Sequence, residues 1–216
     1  MSKKMMLLVL AVASVPMFAL PAASSAQEIH LEGILSFSGD ATAGNLTAEG
    51  EPTITCETGD IEGAVETGGT TGKLALDFTA CHASVFGFTA KCHTSGSPLD
   101  NTIKEAGTFH LITTSGGPAI MVTTETVTIA CQGTSNTVVV HGDVIGTITS
   151  PGCGGSSSKM TVDFAELTPN LQQHDEYTGV THALTATTGS SGAPKTAALN
   201  VLTHTESAVA GTLNCT

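Results

Sequence analysis

The chain has 216 residues, a formal net charge of −12 at neutral pH, no tryptophan and no arginine. An acidic surface without arginine is unsuited to phosphate backbones and to anionic membrane surfaces, because both bind clustered positive charge. The composition therefore argues against a nucleic-acid partner. It is compatible with a soluble protein in an extracellular medium.

The start of the chain predicts a secretory signal peptide. Lys3 and Lys4 form a basic region, an apolar run follows, and small residues precede a cleavage position after Ala26. Because the run is too short to span a bilayer comfortably, we expect residues 1–26 to be removed, with no membrane insertion afterwards. Residues 27–216 are then a single secreted all-β domain, extracellular or associated with the cell envelope. Loss of the two lysines takes the formal charge from −12 to −14.

Short alternating segments between clusters of Gly, Ser, Asn and Pro make up most of the remaining chain. Three of them place apolar residues on one face: Ile29, Leu31, Leu35 and Phe37; Leu74, Leu76 and Phe78; Met160, Val162 and Phe164. Further candidate strands cover residues 53–56, 86–91, 108–114, 119–124, 126–131, 137–141, 144–149, 182–187, 197–204 and 209–215. Since alternation requires one buried and one solvated face, the sequence predicts an antiparallel β-sandwich or barrel.

A weak internal similarity suggests two related halves. Ile54-Thr55-Cys56-Glu57 resembles Ile129-Ala130-Cys131-Gln132, and each is followed by a Gly-Asp dipeptide and later by Asp-Phe. Duplication explains this pattern, and so does chance in a chain rich in threonine. The two halves, if real, share one core because no linker separates them.

The six cysteines predict three disulfides, because an even number of cysteines in an exported chain is typical of a disulfide framework. Several pairings are compatible with the sequence. Proximity along the chain favours these three pairs: Cys81 with Cys92, Cys131 with Cys153, and Cys56 with Cys215.

The dipeptides Cys81-His82 and Cys92-His93 contain the densest group of metal-binding side chains. Zinc takes such ligands in tetrahedral geometry, so a metal site is one interpretation. The other is a disulfide-closed hairpin with residues 85–88 at its tip, which leaves His82 and His93 as the weak candidate metal ligands. We expect no cofactor.

No sequence motif points to catalysis. Gly-x-Ser-x-Gly, His-Glu-x-x-His and calcium-loop patterns are absent from the chain. Residues 96–101 predict a shaped turn, with a binding loop as the alternative, and the acidic cluster at residues 174–176 predicts a solvated loop.

We therefore expect a non-catalytic extracellular or envelope binding or structural module. It would act as a monomer, with an extracellular protein or envelope component as its partner. For a binding module we expect an exposed apolar patch or a shaped loop around residues 86–88. The alternatives are a secreted hydrolase with an unrecognised active site and a metal-binding protein that uses Cys81, His82, Cys92 and His93.

The block from Phe78 to Thr113 contains the paired cysteines and the Gly-Ser-Pro-Leu-Asp-Asn turn. In these features it loosely resembles uncharacterised small secreted β-rich proteins of high-GC Gram-positive bacteria. The resemblance covers about the middle third of the chain. It implies a secreted β-rich protein, and it implies neither an activity nor functional residues.

Overall fold

A computed structural model describes residues 29–85, 87–97, 101–168, 171–172, 176–177, 180–181, 183–189 and 192–216. All regular secondary structure in these ranges is β-strand. They contain no helix of the length and apolarity needed to cross a membrane. The predicted signal peptide lies outside the described residues.

Eighteen strands form in chain order. The first nine are β1 (Ile29–Glu32), β2 (Ser36–Ala41), β3 (Gly44–Ala48), β4 (Ile54–Cys56), β5 (Thr58–Val65), β6 (Thr71–Thr79), β7 (His82–Val85), β8 (Phe88–Thr94) and β9 (Ile103–Thr114). The others are β10 (Gly117–Cys131), β11 (Thr137–Ser150), β12 (Ser156–Phe164), β13 (Glu166–Thr168), β14 (Leu171–Gln172), β15 (Glu176–Tyr177), β16 (Val180–Thr181), β17 (Leu184–Thr188) and β18 (Lys195–Cys215).

Antiparallel pairings close two rings of strands. The first ring runs through β2, β5, β6, β9, β10, β11, β12 and β18 before it returns to β2. The second ring runs through β3, β4, β7, β8, β10, β11, β17 and β18 before it returns to β3. Because β10, β11 and β18 belong to both, the rings share one continuous hydrophobic core. The prediction of an all-β, antiparallel, disulfide-bonded fold is confirmed.

Alternation along the strands fills the interior as the sequence indicates. On β6, Leu74, Leu76 and Phe78 are buried, while Lys73 faces solvent. On β12, the predicted apolar face is buried along its whole length. Both strands lie in the first ring, whose core depends on these two faces.

Residues 29–37 do not form the single predicted strand. Gly33 adopts a φ of +88°, a conformation that other residues rarely adopt, and it separates β1 from β2. The break interrupts the alternation at residues 34 and 35 only, and Phe37 is buried as predicted. Ile34 is therefore buried, whereas Leu35, predicted to face inwards, is 80% exposed.

In three places, two strands that the sequence predicts separately form one long strand. These long strands are β10, β11 and β18. In β10 the pairing with β11 shifts between Thr124 and Val127, so two residues of β10 lie opposite one residue of β11. Such a bulge bends a strand. The bend lets one strand serve both rings, and its interrupted alternation looks like a strand boundary in the sequence.

The predicted cysteine pairs are wrong, although all six cysteines form disulfides. The bonds join Cys56 to Cys81, Cys92 to Cys131, and Cys153 to Cys215. The cause is strand order. Cys92 lies directly opposite Cys131 of β10, and Cys56 of β4 follows the residue that pairs with His82, so the partners are neighbours in the sheet although they are distant in sequence.

The corresponding segments of the suggested duplication lie on strands that are not paired with each other. Cys56 and Cys131 both end strands of the second ring, and Phe78 and Phe164 both lie on strands of the first ring. A common origin of the two halves stays a prediction.

Candidate functional site

An apolar chamber lies inside the second ring. Its walls come from β3, β4, β10, β11, β17 and β18, and three residues of the first ring, Phe78, Ile103 and Glu105, close it at the junction of the rings. Its volume is 40 Å³. A buried water molecule needs roughly 10–15 Å³ of cavity volume, so the chamber has room for about three. Glu105 is the only ionisable residue among those that line it.

The register of β9 directs Glu105 into this interior. Glu105 lies directly opposite Leu76 of β6, which is buried, and Ile103 and Phe109 of its own strand are buried on the same face. The carboxyl makes no hydrogen bond or ion pair with the described residues. It keeps some accessible surface because it borders the chamber, yet protein surrounds it. Burial raises the pKa of Glu105 to about 7, because the charged form loses hydration without gaining a partner.

A slit in the wall lies between Glu105 and the outside of the protein and brings this side chain close to solvent. We define the slit as the gap between residues 103–106 of β9 and 125–128 of β10. The pairing of these strands ends at Gly107 and Thr124, and β10 next pairs with β8 from Ile129. Glu105 and Val127 line both the chamber and the outer side of the slit. The bulge in β10 lies at this point, so the bend that joins the rings also opens the wall.

A groove at the far end of the second ring, here called the mouth groove, has a volume of 310 Å³. Apolar side chains from β4, β7, β10 and β11 form its walls, and residues 51–52 and 133–136 form its rim. Ile54 and Ile129 line both the mouth groove and the chamber. The two spaces therefore adjoin across these two side chains.

An exposed aromatic residue stands beside the mouth groove. Phe88 lies opposite Val85, which lines the groove, so the two side chains share the inner face of the β7–β8 hairpin. Phe88 is nevertheless 77% exposed. Phe88 thus exposes apolar surface at this hairpin, whereas Phe86 lies outside the described residues, and an exposed apolar patch or binding loop here stays a prediction.

The rim of the mouth groove contains one ion pair. Lys195 Nζ donates a hydrogen bond of 2.6 Å to Glu51 Oε1. This bond holds the pKa of Glu51 below its usual value. Glu51 is therefore a paired carboxylate at the rim, in contrast to the unpaired Glu105 at the far side of the chamber.

The predicted Cys-His metal site is wrong in its cysteines. Cys81 and Cys92 belong to two different disulfides and offer no thiolate to a metal. His82 lies opposite Lys91 of β8. Because Lys91 and His93 are two residues apart on the same strand, they share a face, and both histidines therefore lie on the outer face of the second ring. In the described ranges, no group of three or more metal-binding side chains is placed to hold an ion. A site that uses His82 and His93 alone stays a prediction.

The two predicted loop sites are described only in part. Gly96 adopts a φ of +83°, consistent with the predicted turn, but residues 98–100 lie outside the described residues. The same holds for residues 174–175 of the acidic cluster. A role for either loop stays a prediction.

Acidic residues form a row on the outer face of the first ring. Asp60 of β5 lies directly opposite Asp40 of β2 on one side and Asp77 of β6 on the other. Asp77 forms an ion pair with Lys104, the next residue in the row. His204 lies opposite Asp40 at the other end.

Glu105 is not among the residues predicted from the sequence. The predicted strand begins at residue 108 and therefore leaves Glu105 outside it. A signal was present, because Ile103, Glu105, Gly107 and Phe109 recur with period two and place a carboxyl on an otherwise apolar face. The slit and the mouth groove depend on the order of the strands in the sheet, and the periodicity of the sequence carries no information about that order.

The fold and the site thus define a disulfide-bonded antiparallel β protein with an apolar interior space that contains one carboxyl. Neither the family models, nor the curated proteins, nor the solved structures with which we compared the chain gave a match.

Proposed function

We propose that the protein is an exported, non-catalytic binding module that holds one small, largely apolar molecule in the second ring. The observation that carries this proposal is that the mouth groove and the chamber adjoin inside one ring of strands, with Ile54 and Ile129 in the walls of both. Eight-stranded rings are wide enough to hold one small ligand, and the mouth of such a ring is a frequent site of ligand binding.

The size and lining of the two spaces support this role. The mouth groove, at 310 Å³, lies at the lower end of the range for small-molecule sites, which begins at about 300 Å³. Transfer of an apolar molecule from water to such walls is favourable by roughly 25 cal/mol for each Å² buried. Phe88 adds apolar surface beside the groove.

Binding is favoured over hydrolysis by the side chains that line the two spaces. Hydrolysis needs convergent groups, such as a nucleophile beside a histidine. The groove and the chamber contain two carboxyls, Glu51 and Glu105, and no histidine is among the described residues that line them.

Titration with the neutral fluorophore N-phenyl-1-naphthylamine tests the binding role. We expect saturable enhancement of fluorescence with one site per chain, reversed by octanol. Val85→Lys places a charge in the wall of the mouth groove and should weaken binding at least about tenfold, since burial of an unpaired charge is costly. Leu35→Lys is the matched control, because Leu35 is exposed, is absent from the groove lining and precedes β2, which does not belong to the second ring. Equal binding by both variants, or enhancement without saturation, would contradict the proposal.

Export has its own support and test. Three disulfides among the described residues fit an oxidising compartment. The intact mass of protein secreted into culture medium should correspond to a chain that begins at Gln27 and lacks six hydrogens, two for each disulfide. Retention of residues 1–26, or free thiols, would contradict export.

A further inference from the structure

We propose that the molecule bound in the second ring is an apolar amine whose protonated head pairs with Glu105 in the chamber while its apolar body lies in the mouth groove. This inference rests on the proposed function and adds the chemical class of the ligand. It follows from three features of the site: the charge of the chamber, its size, and the position of Glu105.

The charge of the chamber selects the head group. Glu105 is the only ionisable side chain in the lining, and it has no hydrogen-bond or ion-pair partner among the described residues. An unpaired buried carboxyl is costly, and a cation that donates hydrogen bonds to it removes that cost. An anionic head would instead meet a carboxyl with no lysine, arginine or histidine beside it in the chamber.

The two spaces differ in size in the way that such a ligand requires. The chamber, at 40 Å³, accepts a group of about the size of a few water molecules, which suits an ammonium head and excludes a ring. The mouth groove, at 310 Å³, accepts an apolar body. Ile54 and Ile129 form the boundary between the two spaces, so the ligand would extend past these two side chains to reach Glu105.

The slit lowers the cost of placing a cation inside the protein. Glu105 lines the chamber on one side and the slit on the other, so an ammonium group bound to it keeps one side close to solvent. The charged groups on the outer side of the slit are Glu125 and the Asp77–Lys104 ion pair. Lys104 is paired with Asp77 and Glu125 is exposed to solvent, so no unpaired positive charge of this set opposes a bound cation.

Ionisation of Glu105 makes the pairing depend on pH. Burial raises the pKa of this carboxyl to about 7, so the carboxylate needed for the ion pair is fully present only in mildly alkaline solution. Among the described residues, no other ionisable group lines the chamber, and those facing the slit are Asp77, Lys104 and Glu125. Preference for an amine should therefore increase from pH 5 to pH 8.5.

Displacement of N-phenyl-1-naphthylamine by octylamine, octanol and octanoate tests the inference. At pH 8.5 octylamine should displace the probe at a concentration at least about tenfold lower than octanol, because a charge-assisted hydrogen bond is worth roughly that factor. In Glu105→Gln, octylamine and octanol should displace the probe at equal concentrations. The concentration of octanol required should be the same as for the wild type, which also shows that the variant is folded. Glu125→Gln is the matched control, because it removes the same charge from the outer side of the slit and should retain the preference.

The outcomes separate the two proposals. Equal displacement by octylamine and octanol in the wild type, or a preference for octanoate, overturns the amine inference and leaves the binding module standing. An amine preference that survives in Glu105→Gln also overturns it, since the charge responsible then lies elsewhere. Failure of the probe to bind overturns both the proposed function and the inference.

Discussion

Glu105 of β9 lies directly opposite Leu76 of β6, so a carboxyl occupies an inward position beside a fully apolar face. The burial of Glu105 makes the stability of the protein depend on pH in a defined window. The native state raises the pKa of this group from 4.5 to about 7. Between these two values the native state binds more protons than the unfolded state, and the free energy of unfolding therefore falls as pH rises.

We expect Glu105→Gln to remove this dependence. Each pKa unit corresponds to ~1.4 kcal/mol, so the destabilisation reaches about 3 kcal/mol above pH 7 and is absent below pH 4.5. The free energy of unfolding of the variant minus that of the wild type should therefore be higher at pH 8 than at pH 4, by up to about 3 kcal/mol. Urea unfolding at the two pH values measures the difference.

Glu125→Gln provides the control for this experiment, because Glu125 is an exposed carboxyl on the outer side of the same slit. The change that Glu125→Gln causes in the free energy of unfolding should be small and nearly equal at pH 4 and pH 8. If Glu105→Gln behaves in the same way, the carboxyl of Glu105 is hydrated in solution and does not face an apolar chamber.

The alternation of apolar and polar residues predicted the positions of the strands well, but it did not predict which strands pair with each other. The alternation in β6 and in residues 159–164 of β12 identified the buried faces correctly, because each of these segments has one buried and one more exposed side. It was wrong at Leu35, because the positive φ of Gly33 breaks the alternation in a way that period two does not reveal.

The disulfides and the candidate site depend on contacts between distant segments. Cys92 lies opposite Cys131 of β10 on one side and donates a backbone hydrogen bond to Cys81 on the other, and its disulfide is with Cys131. The chamber similarly combines β3 and β4 with β17 and β18. A single sequence contains no direct signal for such strand order, so neither feature could be read from it.

The observed disulfides predict which thiol becomes free when one partner is removed. Cys153→Ser should expose Cys215 to alkylation, whereas the pairing based on proximity would expose Cys131. Alkylation of the folded variant, followed by peptide mass mapping, identifies the residue. The variant should lose ~2–5 kcal/mol of stability, since this bond closes the longest segment of the three, with a sequence separation of 62.

The core of the first ring depends on Phe164. This side chain is 3% exposed, and it packs within the continuous core shared by both rings. Phe164→Ala should lower the free energy of unfolding by ~3–5 kcal/mol, because it removes buried apolar surface and leaves a cavity. Phe88→Ala is the same substitution at an exposed position and should change stability by about 0.5 kcal/mol or less. Similar losses in both variants, measured by urea unfolding, would show that Phe164 is not a core residue.

The acidic row on the outer face predicts a substitution that stabilises the protein. Asp60 is exposed and lies directly between Asp40 and Asp77, and like charges directly opposite each other on paired strands are destabilising. Asp60→Asn should therefore raise the free energy of unfolding by ~0.2–1 kcal/mol at low salt. The gain should shrink in 1 M salt, where screening acts within about 3 Å. Asp163→Asn removes the same charge opposite Thr147 and Leu202, and so isolates the effect of the row from that of net charge. If the two variants gain equally, the row contributes no local repulsion and only the overall acidity of the chain matters.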